Sequence, residues 1–106
     1  MANPWAGEVN VTLDGVVHRA KLTLGALAEL EAAMQEDSLL ALVARFESGA
    51  FSARDVLALL LAGLRGGGWQ GGQAELLCAD IAGGPIEAAR VAARLLGHAF
   101  ALPEER

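Results

Sequence analysis

The sequence predicts an α+β fold: an N-terminal β-hairpin followed by a bundle of about five short α-helices. Three observations lead there. Polarity alternates with period two on both sides of Asp14-Gly15, the period lengthens to about 3.6 after Leu22, and glycine, proline or serine punctuates the helical remainder. At 106 residues, with 54% hydrophobic and 20% charged side chains, the chain has the size of one domain, 1–106, and enough apolar material for a core.

Residues 8–22 carry the hairpin. Asp-Gly readily supplies the two positive φ angles of a type I′ turn. The resulting register pairs Val9 with Ala20, Val11 with His18 and Leu13 with Val16 on one face. On the other, Glu8 meets Lys21 and Asn10 meets Arg19, and a one-residue slip would break these pairs. Two strands alone are marginal in water, so the valine-rich face must lie on helices or on a partner's sheet.

Thr23 is placed to cap a helix over about 24–35, with Leu27, Leu30 and Met34 on one stripe. A second, about 38–47, begins after Asp37, turns Leu39, Leu42, Val43 and Phe46 inward and stops near Ser48-Gly49. Ser52 opens the third, about 53–65, with Asp55 near the positive end of the helix dipole. Its Leu57, Leu59, Leu60, Leu61 and Leu64 leave little polar face, which puts this helix at the centre. A fourth helix, about 73–82, follows the connector Gly66 to Gly72. Gly83-Gly84-Pro85 then leads into a fifth, about 85–101, with Pro85 at its first position. The apolar residues of this last helix spread over roughly 220°, and Glu87, Arg90, Arg94 and His98 share its polar strip.

Charge and hydropathy exclude several function classes. With 8 Lys plus Arg against 13 Asp plus Glu the formal net charge is −5, and the single lysine, Lys21, and scattered arginines form no basic patch for nucleic acid. The longest apolar run, Val56 to Leu64, is bracketed by Asp55 and Arg65, short of the roughly 20 residues that span a bilayer. The opening MANPWAGEV has neither a basic nor an apolar leader region, so no secretory signal is expected and the cytoplasm is the default compartment. Cys78, the sole cysteine, sits in an apolar helical stretch and is expected as a small buried hydrophobe.

No residue pattern points to catalysis, a cofactor or a metal. The glycine-rich GGGWQGG at 66–72 follows a helix and lacks the lysine and hydroxyl residue of a phosphate-binding loop. It reads as a flexible connector pinned by Trp69, or as a mobile partner-binding loop. His18 falls on the apolar hairpin face, where a half-buried imidazole is expected. His98 stands at four-residue spacing with Arg94 and Arg90, a solvated strip or a site for an acidic partner. Glu29 and Glu31 lie two apart on a helix, point in different directions and make no carboxylate pair. Ser38, Ser48 and Ser52 sit at helix boundaries, where capping accounts for them. Trp5 and Trp69 fall in irregular segments, as lids over the core or as anchors for a partner.

Three long collinear runs carry a family resemblance: TLGALAELE at 23–31, DSLLALVARFESGAFSARDVLALLLAGLRGGGW at 37–69, and DIAGGPIEAARVAARLL at 80–96. With the opening NPWAGEV and the Asp-Gly hairpin, the chain resembles the gene transfer agent family of small phage-type tail proteins over nearly its whole length. These motifs are caps, leucine stripes and glycine turns, with no reactive group among them.

The resemblance implies either a tail tube protein or a tail assembly chaperone. A tube subunit needs a sheet that closes with its neighbours into a ring, whereas this chain offers one hairpin and helices. A chaperone needs exposed apolar surface for an unassembled client, which the last helix and the leucine-rich third helix can supply. The expected function is therefore a non-enzymatic tail assembly chaperone that binds the tape-measure protein, the tail-tube subunit or both in the bacterial cytoplasm. The alternative is a structural component of the assembled tail, the tail tube or a tail-associated homo-oligomeric ring within the particle, and a third reading is an enzyme or small-ligand domain. Candidate interface residues are Trp5, Phe51, Trp69, Arg90, Arg94, Leu95, His98 and Phe100.

Overall fold

A computed structural model describes residues 7–34 and 38–100. The order is β1 (Val9–Leu13), β2 (Val16–Ala20), α1 (Leu24–Met34), α2 (Leu39–Ser48), α3 (Ala53–Gly66), α4 (Gln73–Cys78) and α5 (Gly84–Phe100). A two-stranded antiparallel hairpin is thus followed by five helices, the α+β arrangement that the change of period implies.

The hairpin has the expected register, from Val9 opposite Ala20 to Leu13 opposite Val16. Its turn places Asp14 at φ 51° and Gly15 at φ 82°, the positive pair that a two-residue turn demands. Val9, Val11, Leu13 and Ala20 are buried, whereas Val16, on the same face but beside the turn, projects past the helices and stays exposed. Glu8 pairs with Arg19 at 3.9 Å, so the polar face is held diagonally.

Short polar side chains define the helix starts. The Thr23 hydroxyl accepts the Ala26 amide at 3.1 Å, and that of Ser38 accepts Ala41 at 3.0 Å. Ser52 and Asp55 exchange side-chain and amide bonds in a reciprocal cap at the start of α3. Gly49, at φ 78°, closes α2 in the left-handed conformation, and the Ala50 amide donates back to the Arg45 carbonyl at 2.9 Å.

Helix α3 is central, packed against β2, α1, α4 and α5. Leu59, Leu60 and Leu64 are fully enclosed, together with Leu30 of α1, Leu42 of α2 and Val91 and Leu95 of α5. Each such aliphatic side chain contributes about 1.5–3 kcal/mol of transfer free energy. Leu57 and Leu61, expected inside, are only half-buried, because they border an open groove between α1 and α3.

The last turn of α3 meets β2 backbone to backbone. The Lys21 amide donates to the Gly63 carbonyl at 2.8 Å. A Cβ at Gly63 would stand 2.6 Å from Leu95 Cδ1; at Gly66 it would overlap the Lys21 carbonyl oxygen, and at Gly67 that of Arg19. The glycines expected as the start of a loose connector are therefore the positions where helix and strand touch. Beyond them the chain folds back on itself. The Gly68 amide donates to Arg65 at 3.1 Å and that of Trp69 to Leu64 at 2.9 Å, with Gly68 at φ 106°. This is the hydrogen-bonded Schellman ending of a helix, so the segment is a structured turn.

Two further expectations are corrected. Helix α4 stops at Cys78 rather than near residue 82, because β1 captures the next segment: Leu13 and Ile81 form an antiparallel bridge, and the Ala82 amide donates to Thr12 at 3.1 Å. The Asp14 amide donates to Asp80 at 2.8 Å, and the Asp80 amide returns a bond to Asp14 Oδ1 at 2.9 Å. Cys78 is exposed rather than buried, since the six-residue helix turns Leu76 inward and leaves Leu77 and Cys78 outside.

A bidentate ion pair clips α2 to α3, with Arg45 Nε 2.9 Å and Nη2 3.0 Å from the Asp55 carboxylate. Burial works to raise the Asp55 pKa. The Arg45 hydrogen bonds, the Ser52 amide and the Arg45 charge outweigh it and hold the carboxyl below its ordinary range.

Two predictions follow the packing. Gly66→Ala should lower stability by about 1–3 kcal/mol through overpacking against Lys21, whereas Gly97→Ala, whose new methyl meets nothing within 4 Å, should raise it by about 0.5–1 kcal/mol; urea midpoints read both signs. For Asp55, a lowered folded pKa means stabilisation fully present above the unfolded value of about 4 and lost as pH falls through the folded value. Asp55→Asn should therefore cost about 1–2 kcal/mol at pH 7 and flatten the acid limb of the stability–pH curve measured by urea unfolding.

Candidate functional site

The candidate interface residues fall at separate places. Trp69 stands at the end of α3, packed on the core beside the hairpin, where its ring meets His18 edge-on with centroids 6.3 Å apart. Gly71 lies so close under the indole that a Cβ there would overlap it. Among the described residues Trp69 thus packs, partly buried, over the junction between strand and helix, with His18 as a half-buried ring in edge-on contact. Trp5 lies outside the described residues. Gly7, at their start, sits beside the last turn of α5, where a Cβ would stand 3.7 Å from His98 Cβ.

Leu95 is not a surface residue. It is 0% exposed and fills the space left by Gly63, so it belongs to the core. The arc of α5 that looked too broad for one neighbour is shared by two, because both α3 and β1 pack against it. Arg90 and Arg94 are exposed and both reach Glu87, at 3.9 and 3.8 Å, so the polar strip is internally paired, with His98 exposed further along. These weak solvated pairs leave the strip on the outside of the molecule.

Two half-open apolar grooves remain. One lies between α2 and α5, lined by Val43, Phe46, Ala93, Leu96, Gly97 and Phe100, with a volume of about 290 Å³. Phe100, 37% exposed, stands at its rim. Phe51 stacks on Phe46 with centroids 4.5 Å apart and planes 7° from parallel, which braces that wall. The second groove, about 390 Å³, lies between α1 and α3. Leu57, Ala58 and Leu61 form its floor with Ala33 of α1, and Arg54, Arg65 and Glu29 stand along it. The sequence marks the third helix as apolar surface for a client while placing Leu57 and Leu61 among its inward residues, so it leaves open which side of the helix is exposed. The available signal was the spacing Arg54, Leu57, Ala58, Leu61, Arg65, a helical stripe with a cation at either end.

Among the described residues no three His, Cys, Asp or Glu side chains gather into a metal-binding group, and no helix is long and apolar enough to cross a membrane. What the described surface presents is apolar grooves, aromatic packing and ion pairs on a small α+β fold.

The family model described as "Phage tail tube protein, GTA-gp10" matches residues 6–102, and the chain belongs to that family. It is thereby a phage-tail-related protein of the gene transfer agent type, which bears out the resemblance of its three long motifs. No curated protein and no solved structure matches the chain.

Trp69→Ala should cost about 3–5 kcal/mol in urea unfolding, as removal of a packed aromatic does. Arg94→Ala should change stability by less than about 0.5 kcal/mol, and a reversed order would show Trp69 to be an anchor kept free for a partner.

Proposed function

We propose that this protein is a tail assembly chaperone of a phage-like gene transfer particle. It acts without catalysis in the bacterial cytoplasm, binding apolar segments of the tape-measure protein, the tail-tube subunit or both until the tube polymerises. What favours this over a tube subunit is the hairpin. A tube wall is closed by strand edges that pair with neighbouring subunits. The described sheet has two strands, and its own chain covers part of it: residues 80–82 lie along β1, and the end of α3 lies against β2 at Arg19, where Gly67 abuts its carbonyl, and bonds just past the strand through Lys21 and Gly63. The two half-open grooves meanwhile offer apolar surface of the kind that an unassembled client needs covered.

The second reading is a component retained in the tail, and the family's own description as a tail tube protein favours it. Mass spectrometry of purified particles separates the two. A chaperone is absent from finished particles, its deletion blocks tail assembly, and it co-purifies with the tape-measure or tube protein when the two are co-expressed. Stoichiometric copies in the particle, or no association with either client, would sink the chaperone reading.

A further inference from the structure

We propose that the groove between α1 and α3 seats a helix of a partner protein, one carrying an apolar seam flanked by acidic side chains, with Arg54 supplying the matching charge. The proposal rests on the chaperone reading only for the identity of that partner. The two helices run antiparallel, since Ala26 lies against Gly66 while Glu29 pairs with Arg65 at 3.2 Å. Between them lies an apolar trough in which Leu57, Ala58 and Leu61 recur at three- and four-residue spacing, the ridge pattern into which another helix packs.

Charge gives the trough its selectivity. The chain as a whole carries −5, yet among the described residues the groove is flanked by Arg54 and Arg65 with Glu29 as the one acidic side chain in its lining, a net positive set. Arg65 is engaged with Glu29, whereas Arg54 is exposed and makes no ion pair among the described residues. The two arginines are eleven positions apart on α3, about 16 Å along a helix axis. A helix of three turns spans that distance, so a carboxylate near one end of such a partner would meet Arg54 while its seam covers Leu57 and Leu61. This is the groove-docking mode in which apolar positions give affinity and a flanking charge fixes register.

The test uses the full chain and two synthetic helix-forming peptides of about 18 residues, long enough to hold helical structure. Both carry a leucine–alanine seam, one with Glu and the other with Lys at the flanking positions. Fluorescence anisotropy should show the Glu peptide preferred by the native chain. Arg54→Glu should weaken it about three- to tenfold, as loss of a flanking charge pair does, and should restore binding of the Lys peptide. Its melting temperature should not fall, because a carboxylate in the first turn of α3 suits the helix dipole. Leu57→Gln should weaken both peptides. Equal affinity for the two peptides, or an Arg54→Glu variant that binds the Glu peptide as tightly as the native chain, would overturn the proposal. Tape-measure and tube proteins captured undiminished by a chain carrying both Arg54→Glu and Leu57→Gln would overturn the groove and leave the chaperone reading standing. Charge-dependent peptide binding by a native chain that captures neither client would do the reverse. A native dimer in size-exclusion chromatography that Arg54→Glu dissociates would make the occupant a second copy and overturn the partner assignment.

Discussion

The fold depends on how closely the last turn of α3 approaches the hairpin. The Gly63 carbonyl accepts the Lys21 amide, and Gly66 and Gly67 lie against the carbonyls of Lys21 and Arg19 with no room for a side chain. A helix and a strand can meet this closely only where Cβ atoms are absent. That contact fixes the hairpin on the helices and buries Val9, Val11 and Leu13. It also puts Trp69, just beyond the turn, over the junction. With α3 anchored at that end, α1 meets it at Ala26 and Glu29, and a trough lined by Ala33, Leu57 and Leu61 runs between the two helices.

Much of this order was legible in the sequence because it rests on local chemistry. Asp14-Gly15 permits one turn type, and that turn dictates the register; Thr23, Ser38 and Ser52 cap helices because their hydroxyls reach the amides three residues on. What failed to show was decided by distant contacts. Glycine is the same letter whether it confers freedom or close approach, so the run from Gly66 read as a connector although its first residues are the tightest packed. Residues 79–82 keep an apolar composition suited to a helix, yet the unpaired edge of β1 draws them into a bridge. Leu95 and Phe100 both belong to the broad apolar arc of α5, and it is the packing, with Leu95 filling the space beside Gly63, that places one of them inside.

The same limit applies to function. Caps, glycines and leucine stripes identify a family through their collinear order, while saying little of what its members touch. Periodicity assigned every leucine of α3 to the interior. The depth to which each sinks is set by the angle between neighbouring helices, a quantity that no single helix encodes. The third helix could thus be named as client surface from its leucines, while which of them stay at the surface was decided by its neighbours.

The bond from the Asp80 amide to the Asp14 carboxylate joins residues 66 positions apart. A ribosome adds about 5–20 residues each second, so the hairpin emerges several seconds before the segment that closes its edge has been made. Throughout that interval β1 stands unguarded, and a nascent chain in this state is open to pairing with any neighbouring strand. Synthesis of the second half of the polypeptide thus acts as a timer, after which that route to misassociation is shut by the molecule's own later residues.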